Sequence, residues 1–67
     1  MKLKVNDDSM LFKDELTLSE LMQQLLIENK KGIAVAINNQ VVGKTDWQQK
    51  KLNENDTIVI IQASQGG

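Results

Sequence analysis

Hydrophobic and polar residues alternate at the start of the chain. Leu3 and Val5 are separated and flanked by polar residues across positions 2–6. A period of two is typical of a half-buried strand. The turn-forming residues 6–9 follow. The next apolar run, residues 10–13, is therefore predicted to return antiparallel and complete a hairpin.

The clearest local prediction is a single helix that begins after Thr17. Thr17 and Glu20 have the spacing of a capping box, in which each side chain satisfies the backbone of the other residue. An apolar stripe with the period of a helix follows, formed by Leu18, Leu21, Met22, Leu25 and Leu26. The opposite, polar face is formed by Ser19, Gln23, Gln24 and Glu28. The pattern predicts a helix end near Asn29, with Gly32 at the exit.

Three later apolar runs predict the rest of the sheet. Residues 33–37 read as one strand, and residues 41–42 read as a short strand after a turn at 38–40. Residues 57–63 are the most β-prone stretch of the chain. Because both faces of this last strand are apolar, we place it in the centre of the sheet.

The last strand also predicts an exposed surface. Ile58 and Ile60 share one face, and Val59 and Ile61 share the other. If the single helix covers only one face, Val59 and Ile61 remain exposed. Exposed apolar patches of this kind mark partner sites.

Trp47 lies in an otherwise polar stretch, residues 44–51, which we interpret as a loop with one helical turn. The indole is either a lid on the end of the core or a surface anchor for a partner. The lid interpretation is favoured, since a lone Trp is usually largely buried.

Composition removes whole classes of function. A chain of 67 residues makes one small domain. The absence of Cys and His excludes disulfides, thiolate metal sites and Ser-His-Asp or Cys-His catalysis. Neither these metal sites nor these catalytic arrangements are therefore available to the chain.

Charge and hydropathy narrow the choice further. The net charge is −1 and every basic residue is Lys, which argues against nucleic acid as a partner. The N-terminus lacks the apolar region of a signal peptide, and no apolar run is long enough to span a membrane. The expectation is a soluble, cytoplasmic protein.

The chain ends in an unusual way. Two of its four glycines are the last two residues, Gly66 and Gly67. Glycine adopts backbone angles closed to other residues, so such an end can enter a narrow channel and present its carboxylate. The alternative is an inert, flexible end or an expression remnant.

The order of elements, taken with this end, resembles a known family. A hairpin, a helix, a strand, a short strand, a turn and a central strand are typical of the β-grasp, or ubiquitin-like, architecture. The closest resemblance is to the ThiS family of sulfur carriers. The segments that carry it are residues 17–22, 33–39, 41–42 with Trp47, Leu52 with 55–56, and 58–67. Three positions depart from the family's pattern, with Asn55 and Gln65 where Gly is usual or frequent and Gly43 where Pro is common.

The resemblance implies a fold. It is an α+β fold in which a mixed sheet of four to five strands packs on one main helix, with the first and last strands parallel in the middle. The β-grasp domain would take residues 1–63, and residues 64–67 would form a flexible C-terminal tail.

The resemblance also implies a function, that of a carrier and not of an enzyme, with no catalytic residue and no metal on this chain. An adenylating enzyme of the ubiquitin-activating type (ThiF-like) would activate the Gly67 carboxylate with ATP. Sulfur drawn from cysteine through a desulfurase would convert it to a thiocarboxylate, which a thiazole synthase (ThiG-like) consumes in thiamin synthesis. Gln65, Gly66 and Gly67 would thread the partner's active site, while Val59, Ile61 and Trp47 would form the partner surface. ATP and magnesium belong to the activating enzyme, so no cofactor is expected on this chain.

Three other functions remain open. The small subunit of molybdopterin synthase resembles this chain in fold and tail, although it is generally longer. A protein-conjugating modifier would form an isopeptide bond instead of a thiocarboxylate. A β-grasp binding module with an inert tail would keep its function after removal of Gly66 and Gly67, whereas every carrier would lose it.

Overall fold

A computed structural model describes residues 1–63 of the chain. They form a five-stranded mixed sheet with the strand order β2-β1-β5-β3-β4. Its elements are β1 (Lys2–Val5), β2 (Asp8–Leu11), α1 (Leu18–Gln24), β3 (Ile33–Ile37), β4 (Gln40–Val42), a 3₁₀ helix (Lys44–Asp46) and β5 (Thr57–Gln62). β1 and β5 are parallel neighbours, whereas the other pairs are antiparallel. The predicted α+β, β-grasp architecture and the central position of β5 are confirmed.

Both hairpins turn on two residues with positive φ. Asn6 and Asp7 have φ of 48° and 72°, and Asn38 and Asn39 have φ of 50° and 72°. Left-handed conformation at both central residues matches the twist of the flanking strands, and Asn and Asp adopt it at low cost. Because the first turn needs only two residues, β2 begins at Asp8, two residues earlier than predicted.

The capping box at the start of α1 is confirmed. The Thr17 hydroxyl accepts a hydrogen bond from the Glu20 N–H (3.2 Å), and the Glu20 carboxylate accepts one from the Thr17 N–H (3.0 Å). Two backbone donors that lack partners within the helix are satisfied in this way.

The predicted end of α1 near Asn29 is wrong, since the helix ends at Gln24. Leu26 adopts φ 61°, and the Ile27 N–H returns to the Met22 carbonyl (3.1 Å). This is a Schellman ending, in which the left-handed position normally belongs to Gly. Leu26 is 85% exposed and therefore leaves the apolar stripe to which its spacing assigned it.

One face of the sheet and the inner side of α1 share the core. Its members are all at most 6% exposed: Leu3, Val5, Leu16, Leu18, Leu21, Met22, Val35, Ile37, Trp47, Leu52 and Ile58. Ser19, assigned to the polar face of the helix, is in fact buried. Its hydroxyl donates to the Glu28 carboxylate (3.3 Å), which meets the hydrogen-bonding requirement of a buried polar group.

Trp47 closes the end of this core. Its side chain is 3% exposed, and the indole N–H donates to the Val42 carbonyl (3.2 Å). The helical turn predicted in this loop is the 3₁₀ helix immediately before it. The lid interpretation of Trp47 is therefore confirmed. A buried ring offers almost no area to a partner, so the predicted partner surface loses Trp47.

Candidate functional site

The face of the sheet opposite α1 carries the apolar surface predicted from β5. Val59 and Ile61 are 39% and 60% exposed. The register places Val59 opposite Ala36 and Ile61 opposite Ala34, and Val41 of β4 pairs with Ala36. Paired residues share a face of the sheet. We call these five residues the open-face patch.

The composition of the patch favours close approach by another molecule. Ala34 and Ala36 are its floor, whereas Val41, 80% exposed, and Ile61 stand at its sides. Both alanines lie on the face of the sheet away from the helix. An exposed apolar patch on one sheet face is typical of a protein interaction site.

Sequence reasoning missed Val41 and did not assign the alanines to the same surface as Val59. The signal was present in the Asn38-Asn39 turn. A two-residue turn fixes the register of β3 against β4 and so places Val41 beside Ala36.

Lysines border the patch on the β1 side. Lys4 pairs with Thr57 of β5 and lies on the same face as Val59, and Lys2 lies on this face one step earlier along β1. The Lys4 ammonium lies 4.0 Å from the Asp7 carboxylate and is half exposed. An acidic rim on a partner would complement this border.

The end of β5 connects the patch to the C-terminal segment. Gln62 is the last residue of β5, and Ala63 is the last residue that the structure describes. The predicted tail residues Gln65, Gly66 and Gly67 lie outside the described residues. In sequence, Gly67 follows Ile61 of the patch by only six positions.

Two carboxylates of residues 1–63 form hydrogen bonds that support the fold. The buried Asp56 carboxylate accepts hydrogen bonds from the Asn53 N–H (2.8 Å) and the Asn38 amide (2.9 Å). The pKa of the Glu20 carboxyl lies below its usual range, first because the Thr17 N–H donates to it and then because of the Lys13 ammonium.

Residues 1–63 contain no cluster of three or more acidic side chains that could hold a metal ion. The same part of the chain has no helix long and apolar enough to cross a membrane. A depression of about 340 Å³ lies beside β4 and has Asp46 and Lys50 at its edge.

Comparison with solved structures supports the fold. The crystal structure of a thiamine biosynthesis protein (ThiS) from Geobacter metallireducens is similar, with a TM-score of 0.86, 20% identity and full coverage of both chains. An NMR solution structure of a thiamine biosynthesis protein from the same organism gives a TM-score of 0.79 at 20% identity, covering all of this chain and 88% of the other.

Comparison of sequences identifies the family. The sulfur carrier protein ThiS of Escherichia coli (strain K12) is 34% identical over 67 residues, with full coverage of both chains. The sequence model of the ThiS family matches residues 2–67, a range that includes the terminal Gly66-Gly67 pair. The chain therefore belongs to the ThiS family.

Proposed function

We propose that this chain is a sulfur carrier for the synthesis of the thiazole part of thiamin, and that Gly67 holds the sulfur as a thiocarboxylate. The observation that carries the proposal is the full-length family match, which runs through the terminal Gly-Gly pair. The composition supports the same location. With no Cys in the chain, sulfur has no side chain on which to be carried.

The chemistry requires activation, because a carboxylate is a poor electrophile. An adenylating enzyme transfers AMP from ATP to the Gly67 carboxylate and releases pyrophosphate. The terminal sulfur of a persulfide, supplied from cysteine through a desulfurase, then forms a C–S bond as the C–O bond to AMP breaks. A thiol then breaks the S–S bond of the resulting acyl disulfide. It forms a new disulfide with the sulfur of the donor and releases Gly67 as the thiocarboxylate. ATP and magnesium bind to the partner enzyme and not to this chain. Both are present in the cytoplasm, where we place the reaction.

In this proposal the open-face patch docks each partner, and Gln65, Gly66 and Gly67 enter that partner's active site. Val59 and Ile61 supply exposed apolar area, and the alanines let the partner's surface come close. Since the adenylating enzyme and the thiazole synthase use the same patch and the same tail, they bind in turn. The carrier moves between them without forming a complex with both.

The docking surface is tested with Ile61→Glu. The side chain points away from the core, so the domain stays folded, while a buried charge at the interface weakens binding by at least about tenfold. Leu26→Glu is the matched control, since it places the same charge at an exposed leucine of the helix–β3 connection. The measurement is the Kd for the adenylating enzyme by calorimetry. Equal affinity of Ile61→Glu and wild type would refute the docking role.

Removal of Gly66 and Gly67 tests the carrier role itself. We expect the truncated chain to bind the adenylating enzyme through its patch but to support no thiazole formation. Unchanged thiazole formation would favour a binding module with an inert tail. Formation of an isopeptide-linked product by the full chain would favour a protein-conjugating modifier.

A further inference from the structure

The hydrogen bonding of β5 changes character near its end. β1 pairs with β5 through Lys4 with Thr57 and Val5 with Ile58, and the Asn6 N–H adds a bond to the Ile58 carbonyl (2.9 Å). β1 then turns away into the hairpin. The edge of β5 that faces β1 would be left without a partner from residue 60 onward.

The Asn6 side chain takes over at this point. Its Oδ1 accepts a hydrogen bond from the Ile60 N–H (2.8 Å), and its Nδ2 donates to the Ile60 carbonyl (3.1 Å). A carboxamide has the donor and acceptor of a peptide group, so Asn6 replaces the missing residue of β1 and adds one more step to the ladder. The left-handed conformation of Asn6, φ 48°, belongs to the same turn that directs β1 away.

The opposite edge of the same segment is held by the start of β3 and by Gly32, which precedes it. Ile33 pairs with Gln62, and the Ala63 N–H donates to the Gly32 carbonyl (2.8 Å). Gly32 has φ 75°, and a Cβ there would lie 3.3 Å from the Ala63 carbonyl oxygen. Glycine is therefore required on two counts, its backbone angle and its close approach to Ala63.

We propose that Asn6 is a positioning residue for sulfur transfer, because it holds Ile60 at the start of the segment Ile60–Ala63, which directly precedes the C-terminal residues. This inference rests on the proposed carrier function. Ile61 belongs to the docking patch and lies inside the clamped segment. Because Ile60 is bonded on one edge and Ala63 on the other, the position of Ala63 relative to the patch is fixed.

The short distance to Gly67 explains why this relation matters. Gly67 is four positions after Ala63, and four extended residues reach at most about 14 Å. Docking at the patch and entry of the carboxylate therefore form a linked, two-point interaction. If the segment from Ile60 detached, the linker would double in length, and the effective concentration of the carboxylate would fall up to about threefold.

The chain offers a matched control in Asn38. It occupies the same position of the second hairpin turn, with φ 50°, and its Oδ1 accepts from the Thr57 N–H (2.9 Å) at the beginning of β5. Its amide also donates to Asp56 (2.9 Å). Asn38→Gly and Asn6→Gly thus remove similar bonds from opposite ends of β5, and Gly accepts the positive φ at both positions.

The first readout is hydrogen exchange of the full chain alone. Asn6→Gly is expected to speed exchange of the Ile60 amide at least about tenfold, whereas Asn38→Gly speeds exchange at Thr57 and leaves Ile60 protected. Unchanged protection of Ile60 in Asn6→Gly would overturn the proposal, and this result does not depend on any partner.

The second readout is adenylation kinetics with the chain's own adenylating enzyme. Asn6→Gly should lower kcat measurably, by at most about threefold, with little change in KM, because docking is retained while the carboxylate enters less often. Asn38→Gly should leave kcat at the wild-type value, even if it lowers Tm by as much as Asn6→Gly does. Equal loss of kcat in both variants would mean that Asn6 only stabilises the fold. Absence of adenylation in the wild type would instead refute the proposed function. The exchange result does not depend on adenylation and would still test whether Asn6 holds Ile60.

Discussion

Leu26→Gly should stabilise this protein, although it removes a large apolar side chain. Leu26 has φ 61° at the end of α1, where a side chain costs about 1–2 kcal/mol relative to glycine. With 85% of the residue exposed, the substitution sacrifices only about 0.3 kcal/mol of burial. Glycine also has greater conformational freedom in the unfolded chain, which lowers the gain in stability by a further 0.5–1 kcal/mol, roughly. The net gain is about 0.5 kcal/mol.

Leu26→Ala is the matched variant, since it loses the same burial but keeps the Cβ that makes the left-handed conformation costly. For a domain of this size the gain in Leu26→Gly corresponds to a rise in Tm of about 2–4 °C, whereas Leu26→Ala should lower Tm slightly. The assay is thermal unfolding followed by circular dichroism, with urea unfolding as a second measure of the free energy. If Leu26→Ala proved as stable as Leu26→Gly, the reasoning from backbone conformation would be refuted.

Three further predictions concern the same fold. Gly43→Pro should raise the free energy of unfolding by about 0.4–1 kcal/mol. The φ of Gly43 is already −66°, as proline requires, and the nearest atom to an added Cβ is 4.0 Å away. A lower Tm would contradict this prediction. Trp47→Phe should cost about 2 kcal/mol in urea unfolding, since the Val42 carbonyl loses its donor and the core loses volume; a change below about 0.5 kcal/mol would place the indole outside the core. The folded-state pKa of Glu20 is lowered, so its carboxylate stabilises the fold above its ordinary pKa of 4.5 and this contribution disappears as pH falls through the lowered value. Wild type should therefore exceed Glu20→Gln in stability by more at pH 7 than at pH 3, and a difference independent of pH would contradict the assignment.

The sequence predicted those parts of the fold that are set by local chemistry. The capping box at Thr17 and Glu20 and the strand at residues 33–37 were each visible in a few neighbouring residues. The central position of β5 followed from apolar residues on both of its faces. These features need no knowledge of distant contacts.

The features that sequence reasoning missed depend on tertiary structure. The apolar spacing continues through Leu26, and no Gly or Pro marks the helix end, although Leu26 is left-handed and the Ile27 N–H closes the helix on the Met22 carbonyl. Ser19 is polar by type but is buried, and its hydroxyl donates to the carboxylate of the half-buried Glu28. The hydrogen bonds between Asn6 and Ile60 join residues 54 positions apart, so the periodicity of the sequence cannot predict them.

The partner surface shows the same division. Val59 and Ile61 were predicted to be exposed from alternation along one strand, and they are. Adding Val41 and the two alanines required the strand register, and removing Trp47 required its burial. Alternation alone identifies a face of a strand, whereas pairing determines which residues assemble into one surface.

The most direct test of the central claim is the intact mass of the protein after incubation with ATP, magnesium, cysteine, a desulfurase and its adenylating enzyme. The account predicts a gain equal to replacement of one oxygen by sulfur, absent when ATP is omitted or Gly67 is deleted. The deletion control is important because the chain has three methionines, each of which can gain an oxygen of nearly the same mass. Alkylation then separates the two, since only a thiocarboxylate reacts readily as a sulfur nucleophile. An unchanged mass, under conditions in which the same enzymes load a known carrier, would contradict the assignment of Gly67 as the sulfur-carrying residue.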